Sequence, residues 1–234
     1  MELPDSLPAQ LYLLTYNPDK ERMDGSSLLG PALRAAALLE LRQRGRIIDE
    51  GGKVAPVLGT RGAGQVSQPG TVGARRVGAL TVDDPVLTRV LEQVGASGRP
   101  RSWKHWIGKD NRWTTRCARD YLEAGRWIRV DRTRVLGIVP RTVVTVRDPR
   151  TVRALINDVR RALRGPGPAD RLGDRDRQLA ALGALAEIRV LGGWRERHAH
   201  RARIGELTAS IAPAGPALRK VIQTQKAAHA SGGG

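Results

Sequence analysis

Phenylalanine is absent from the sequence, and aromatic residues make up only 3% of it. The core must therefore be built mainly from aliphatic side chains. A single cysteine, Cys117, excludes an internal disulfide framework and fits a reducing compartment. No uncharged apolar run approaches the roughly 18 residues that a spanning helix needs, so any membrane contact is expected to be peripheral. The N-terminal segment MELPDSLPAQ lacks the basic and apolar regions of a signal peptide, which predicts a cytoplasmic protein.

Acidic residues are few relative to basic ones. The 234 residues include 23 Asp plus Glu against 40 Lys plus Arg, giving a net charge of +17. Such an excess predicts a polyanionic partner, which could be an acidic membrane face, a nucleic acid or an acidic protein. Most of the basic residues are arginines, whose forked guanidinium suits phosphate. Compositional bias with solvated arginines explains part of the excess equally well.

The stretch from Leu28 to Ile48 predicts a central buried helix. Its leucines and alanines cover nearly every direction of a 3.6-residue turn. Arg34 lies in the middle of this stretch, and no residue three or four positions away carries a carboxylate. Because an unpaired buried guanidinium is costly, Arg34 requires either a tertiary partner or a bound anion.

A second basic segment follows two nearby tryptophans. Arg112, Arg116 and Arg119 recur at the spacing that places them on one face of a helix. Together with Arg34, this face predicts a small cationic pocket that holds a phosphorylated headgroup through charge-assisted, partly bidentate hydrogen bonds. Two other interpretations stay open. The pocket could take a different anion or lipid headgroup, or Arg34 could form a structural ion pair, for example with Glu40 or Glu123.

Four segments, in order, resemble a bacterial-type member of the Golgi phosphoprotein 3 family over roughly residues 3 to 195. They are Leu3-Pro4 with Leu11-Tyr12-Leu13-Leu14; Leu33-Arg34, Leu38-Leu39-Glu40-Leu41 and Arg44-Gly45-Arg46-Ile47; Leu122-Glu123-Ala124-Gly125 with Leu136-Gly137-Ile138; and Arg177, Leu179, Ala180, Leu182 and Leu185. The resemblance implies a mainly α fold, a single globular helical domain with one or two short β-hairpins. This domain is expected to span residues 1–228, followed by a disordered tail at 229–234.

Eukaryotic members of the resembled family bind phosphatidylinositol 4-phosphate. The resemblance therefore implies a peripheral membrane protein on the inner face of an anionic membrane, without enzymatic activity or cofactor. It also implies an adaptor role toward membrane-enzyme partners. Arg34 falls on the family's central-helix arginine, whereas the family's loop tryptophan falls on Gly25, for which Arg22 is a candidate substitute.

The other two basic positions of the family fall on Asn111 and Thr114, with Arg112 and Arg116 one and two residues away. Such an offset turns a helical side chain by about 100 to 200 degrees. The candidate headgroup-binding residues are Arg34, Arg112, Arg116 and Arg22.

Glycines and prolines interrupt residues 49–74, which predicts a long loop. A strand over Arg75 to Val82 is then expected to pair with Arg46 to Ile48, making a hairpin with an extended tip. In the resembled family the corresponding hairpin has been linked to membrane contact and self-association, although a disordered linker is an alternative here. The candidate membrane-contact residues of the tip are Lys53, Val54, Val57, Leu58 and Arg61.

Nucleic-acid binding is the competing function. A basic helix over Asn111 to Tyr121, a glycine, and strands at 126–130 and 134–139 joined by a turn at 131–133 also fit a winged-helix module. Because the basic residues are spread along the whole chain, nucleic acid is the less favoured partner. The pair His198 and His200 lacks the further ligands that a metal site needs, and no catalytic constellation is found, so no metal and no enzymatic activity are expected.

Overall fold

Helices make up most of the described chain, residues 2–57, 84–135 and 139–231, in this computed structural model. In chain order the elements are α1 (Leu7–Leu13), β1 (Tyr16–Asn17), β2 (Arg22–Met23), α2 (Leu29–Gln43), β3 (Ile47–Glu50), β4 (Lys53–Pro56), α3 (Pro85–Gly95), β5 (Arg101–Ser102), α4 (Trp103–Gly108), α5 (Asn111–Ala124), β6 (Ile128–Val135), β7 (Val139–Val146), α6 (Pro149–Arg164), α7 (Asp174–Leu185), α8 (Trp194–Ala199), α9 (Arg201–Ser210) and α10 (Ala214–Ser231). Short 3-10 turns lie at Ala169–Arg171 and Arg189–Leu191. The mainly α fold with short antiparallel hairpins is confirmed.

The core is organised around α2. Every residue of this helix from Leu29 to Leu41 is buried, which confirms the predicted central helix. Helices α1, α3, α4, α5, α7 and α10 pack on it. Gly45 follows the helix at a φ of +63°, a conformation that glycine adopts without strain. Two charged side chains, Arg34 and Glu40, are therefore enclosed by packed apolar surface.

Side-chain caps fix the beginnings of several helices. The Ser6 hydroxyl accepts a hydrogen bond from the Ala9 N–H at 3.3 Å, and the Asp84 carboxylate accepts one from the Val86 N–H at 2.6 Å. Proline occupies one of the first positions of both helices, where its missing N–H costs nothing. These contacts set where α1 and α3 begin.

The strand after α2 pairs with a segment that lies closer to it in the sequence than the predicted partner strand. β3 pairs with β4 in the register Ile47↔Pro56 to Glu50↔Lys53, and β5 adds a third strand. Gly51 and Gly52 both have positive φ and form the two-residue turn. The prediction that a loop begins at residue 49 is therefore wrong, and the expected partner strand at 75–82 lies outside the described residues.

A second hairpin follows α5. β6 and β7 pair from Ile128↔Val146 to Val135↔Val139. The turn predicted at 131–133 is wrong, because Asp131 lies within β6 opposite Val143. The backbone pairing of eight residues on each strand outweighs the local turn preference of the Asp-Arg-Thr sequence. Across the described part of the chain, no helix combines the length and the apolar character needed to span a membrane.

Candidate functional site

The Arg34 side chain has no solvent-exposed surface. Its Nε donates a hydrogen bond to the Trp106 carbonyl oxygen at 2.5 Å, and its Nη2 donates one to Gln93 Oε1 at 2.9 Å. Its Nη1 is buried without a hydrogen-bond partner among the described residues. Both acceptors are uncharged, so the guanidinium is oriented without being neutralised by direct contact with a carboxylate. Glu40, one of the ion-pair partners considered above, instead accepts hydrogen bonds from the Leu7 N–H and from Arg44.

Gln93 links Arg34 indirectly to the carboxylate of Asp110. The Gln93 Nε2 donates to Asp110 Oδ2 at 2.7 Å, so the amide bridges the guanidinium and the carboxylate. Burial lowers the pKa of Arg34 to about 10, while the charge of Asp110 acts in the opposite direction. Arg34 therefore stays cationic at neutral pH.

The N-terminus of α5 lies beside this bridge. Asp110 precedes the helix with a φ of +50°, and no side chain caps the first turn. Gly30, one turn before Arg34, lies against the backbone of Asn111. The first turn of α5, where a helix has unpaired N–H groups and a partial positive charge, thus lies close to the turn of α2 that precedes Arg34.

Unpartnered polar atoms gather in the same place. Five buried side-chain nitrogen or oxygen atoms in the described part of the chain lack a hydrogen-bond partner, and three of them are Arg34 Nη1, Trp106 Nε1 and Asn111 Oδ1. Unsatisfied buried polar groups are rare and call for an explanation. We name Arg34, Gln93, Trp106, Asp110 and Asn111 the Arg34 cluster.

Cations and an exposed ring border the Arg34 cluster. The Arg89 guanidinium lies 5.9 Å from the centre of the Trp113 ring, and Lys109 Nζ lies 5.3 Å from the centre of the Trp106 ring. Trp113 is 38% exposed. Burial lowers the pKa of His105, and the neighbouring cations Arg101, Lys109 and Arg34 lower it further. We name Arg89, Lys109 and Trp113 the basic rim.

The other predicted headgroup residues do not join Arg34. Arg112 and Arg116 are exposed on α5, whereas Thr114 on the same helix is buried. Arg22 is exposed on β2, where it pairs with Asn17. Arg34 is enclosed within the core while these three arginines face solvent, so the structure does not place the four in one pocket.

Gln93 and Asp110 are the members of the cluster that sequence reasoning missed. Asp110 immediately precedes a predicted helix, which was a usable signal for a helix terminus. Gln93 carried no signal, because its role depends on how α3 packs against α2.

The residues predicted for the membrane-contact tip differ in their exposure. Lys53 is exposed on β4, and Val57 just after it is also exposed. Val54 is buried in the core and is not available to a membrane in this structure. Leu58 and Arg61 lie outside the described residues.

The other reactive side chains form no recognisable centre. Within residues 2–57, 84–135 and 139–231, no group of three or more His, Cys, Asp or Glu residues is placed to hold a metal ion. Burial raises the pKa of the Cys117 thiol to about 11, which disfavours the reactive thiolate. The His198 ring stacks on the exposed Trp194 ring with their centres 5.5 Å apart.

Comparison with protein families identifies one match. The model of the family described as Golgi phosphoprotein 3 (GPP34) matches residues 7–225. The match runs from α1 into α10 and so includes every element around the Arg34 cluster. A comparison with curated proteins finds no match. The resemblance based on four short segments is confirmed.

Proposed function

Because the chain belongs to the Golgi phosphoprotein 3 family, we propose that it is a peripheral membrane protein that binds anionic phosphorylated lipid headgroups, such as phosphatidylinositol 4-phosphate, at the Arg34 cluster. One observation carries this proposal, which is that Arg34 Nη1 is buried without a partner. Leaving a buried donor unsatisfied costs about 1–3 kcal/mol, and more when the group is charged. Because Arg34 is enclosed, a phosphate oxygen reaches Nη1 only when the side chains that cover it move aside; the contact then removes this cost and gains a charge-assisted hydrogen bond.

The N-terminus of α5 supports the same ligand chemistry. A 14-residue helix without a side-chain cap presents free N–H groups and a partial positive charge at its first turn. Gly30 allows the first turn of α5 to approach the backbone of α2, since a side chain at residue 30 would collide with Asn111. Arg34 and the helix terminus therefore both favour an anion.

The basic rim suits the approach to a membrane. Trp113 has an apolar ring with a polar edge, the combination that favours the interface between headgroups and acyl chains. Arg89 lies over its ring and Lys109 lies over the Trp106 ring, and each basic residue near an anionic surface contributes on the order of 1 kcal/mol. The net charge of +17 attracts the protein to an acidic leaflet before the Arg34 cluster selects a headgroup.

Other consequences of family membership stay predictions for this chain. They are an adaptor role toward membrane enzymes and self-association through the segment at 49–74. Both belong to the proposal only as further functions of a membrane-bound protein.

The decisive experiment compares Arg34→Gln with Arg201→Gln in vesicle sedimentation. The vesicles are phosphatidylcholine with and without phosphatidylinositol 4-phosphate. Arg201 is exposed on α9 and is the matched control for loss of one charge. We expect Arg34→Gln to weaken binding to the phosphoinositide vesicles by about tenfold or more, as loss of a charge-assisted hydrogen bond implies, and Arg201→Gln to change it little. Equal losses would mean diffuse electrostatic attraction only and would contradict the proposal.

Since Arg34 is buried, its replacement can also lower stability. The thermal unfolding midpoint of each variant is therefore measured first, and Arg89→Gln gives a second test because Arg89 is exposed. We expect Arg89→Gln to weaken vesicle binding without lowering the unfolding midpoint. If Arg89→Gln binds like the wild type while Arg34→Gln is unfolded, the Arg34 cluster is a structural feature and the proposal fails.

Nucleic-acid binding is decided by salt titrations. Wild-type protein is titrated with duplex DNA and with the same vesicles at rising salt, because phosphate contacts release counterions and weaken steeply. Tight, sequence-selective binding to DNA at physiological salt would overturn the lipid proposal in favour of the winged-helix function.

A further inference from the structure

A second cationic cavity lies away from the Arg34 cluster. Its volume is about 400 Å³, and it is bounded by the β1–β2 hairpin, one face of α6 and the 3-10 turn at Arg189–Leu191. We name it the α6 cavity. It shares no residue with the Arg34 cluster or the basic rim. Its volume falls in the range of about 300–1,000 Å³ that is typical of small-molecule sites.

Four cations converge on the α6 cavity. Arg153 and Arg160 are seven residues apart on α6, which places them within about 20 degrees of the same direction around the helix. Arg189 lines the cavity from the 3-10 turn, and Lys20 lines it from the hairpin. One wall of the cavity is therefore a basic stripe, and two separate segments add positive charge to it.

These cations are not neutralised within the fold. In the part of the chain that the structure describes, the side chains of Arg153, Arg189 and Lys20 make no hydrogen bond or ion pair. Arg160 donates from Nε to the Val190 carbonyl oxygen at 2.7 Å, which anchors its guanidinium against the turn without neutralising it. Most other arginines of α6 and α7 behave differently, as Arg177 does in pairing with Asp174. Although Asp19 and Asp24 also line the cavity, its four cations outnumber them, so the lining keeps a net positive charge.

Hydroxyl-binding groups lie among the cations. Asp19 and Asp24 line the α6 cavity, and so do the amides of Asn17 and Asn157. Asp24 Oδ2 accepts a hydrogen bond from Asn17 Nδ2 at 2.8 Å, which holds the carboxylate in place. Ionised carboxylates are acceptors only, so they repel a phosphate but bind hydroxyl groups well. The mixture suits a ligand that carries both kinds of group.

We propose that the α6 cavity binds a phosphorylated polyol, either as a lipid headgroup or as a free sugar or inositol phosphate. Arg153, Arg160 and Arg189 hold the phosphate. Asp19 and Asp24 accept hydrogen bonds from the hydroxyl groups. This site is independent of the headgroup site at Arg34, so the protein presents two separate anion-binding sites.

The first test is calorimetric titration of the full chain with inositol 1-phosphate and with inorganic phosphate. The double variant Arg153→Gln/Arg189→Gln removes two exposed cations that have no partner in the fold, so its stability is expected to match the wild type. The double variant Arg195→Gln/Arg219→Gln, at exposed positions on α8 and α10, loses the same charge and is the matched control. We expect Arg153→Gln/Arg189→Gln to bind inositol 1-phosphate about tenfold or more weakly and the control to bind it normally. Equal affinities in the two variants would overturn the proposal.

The role of the carboxylates gives a test with opposite signs. Asp19→Asn removes a negative charge from the cavity, so bare phosphate should bind slightly more tightly. If Asp19 accepts a hydrogen bond from a ligand hydroxyl, the same substitution weakens binding of inositol 1-phosphate. Tighter binding of both probes would mean a site for bare phosphate and would overturn the assignment to a polyol.

Vesicles distinguish the two sources of the ligand and separate this proposal from the proposed function. Loss of sedimentation with phosphatidylinositol 4-phosphate vesicles in Arg153→Gln/Arg189→Gln would identify a lipid headgroup. Loss confined to soluble inositol 1-phosphate would identify a free phosphate, and both results support the site. Arg34→Gln is expected to leave binding of inositol 1-phosphate at the α6 cavity unchanged. If Arg34→Gln keeps its thermal unfolding midpoint and still abolishes that binding, the two sites are one and this inference fails.

Discussion

A Cβ atom on Gly30 would lie 2.6 Å from the backbone oxygen of Asn111. Helices α2 and α5 therefore meet backbone to backbone where α5 begins. A rigid backbone atom cannot give way as a flexible side chain can, so only the absence of a side chain at residue 30 permits this contact. The position of the α5 N-terminus relative to Arg34 depends on it.

We predict that Gly30→Ala destabilises the protein by about 1–3 kcal/mol, the usual cost of overpacking a core. Alanine is the better helix former by up to about 1 kcal/mol, so the loss would be evidence of the helix contact rather than of helix propensity. Chemical denaturation measures the effect. Gly25→Ala is the control, since a Cβ at residue 25 meets nothing within 4 Å. Equal stability of Gly30→Ala and wild type would mean that α2 and α5 are not in close contact.

Asp110 weakens the proposed headgroup site, because its carboxylate lies near the expected phosphate. We predict that Asp110→Asn strengthens binding to phosphatidylinositol 4-phosphate vesicles by about two- to fivefold, the range expected for an exposed charge. The asparagine oxygen can still accept the hydrogen bond from Gln93. Asp170→Asn, a highly exposed carboxylate on the first 3-10 turn, makes the same change in net charge. An equal gain in both variants would point to net charge alone.

Of the five tryptophans, two are buried, two are exposed and Trp127 is half-buried, and an exposed ring is the best able to contact lipid. Trp103 and Trp106 are buried, whereas Trp113 is 38% and Trp194 is 71% exposed. We predict that brominated lipids quench the fluorescence of vesicle-bound protein mainly through Trp113. Trp113→Phe should therefore remove most of the quenching, and Trp194→Phe should remove little. The reverse result would place the membrane-facing surface at α8 instead of the basic rim.

Asp84 makes stability depend on pH. Burial raises the pKa of its carboxyl above the ordinary 3.8, and the charge of the nearby Glu40 raises this pKa further. The hydrogen bonds that the carboxylate accepts from Ser6 and the Val86 N–H lower the pKa, but by less than burial raises it. The folded state therefore binds this proton more tightly than the unfolded state. The contribution of the protonated Asp84 to stability is complete below the ordinary pKa of the unfolded state, and it is lost as the pH rises through the raised pKa of the folded state.

We predict that the free energy of unfolding of wild type falls relative to that of Asp84→Asn as the pH rises above 3.8. The asparagine can keep the hydrogen bond from the Val86 N–H without carrying a buried charge. Urea denaturation across a pH series measures the difference, in which other titrating groups cancel. A difference that does not change with pH would mean that Asp84 has the same pKa in both states.

The central helix was predictable because burial on all sides leaves a direct mark on the sequence. The partners of Arg34 were not, since Gln93 and the Trp106 carbonyl reach it only through the packing of α3 and α4 on α2. The sequence did predict that Arg34 has no carboxylate partner on its own helix.

The hairpin after α2 was missed although its signal was present. Gly51-Gly52 is a typical two-residue hairpin turn, but the many glycines that follow made the whole segment resemble a loop. Arg112 and Arg116 were assigned to a pocket by their charge and spacing. Their helical face is set by where Thr114 packs, and only the tertiary structure reveals that.

Helix α3 is tied down at both ends. Ser6 donates a hydrogen bond to Asp84 at its beginning, and Gln93 joins it to Arg34 and Asp110 near its end. The buried face of this eleven-residue helix, formed by Val86, Leu87, Val90 and Val94, adds contacts with the core but no directional bond. The polar contacts fix its axial position, so a one-turn shift would break them together. A ligand at Arg34 would therefore bind beside a helix whose axial position is already fixed, so no ordering of α3 would have to accompany binding.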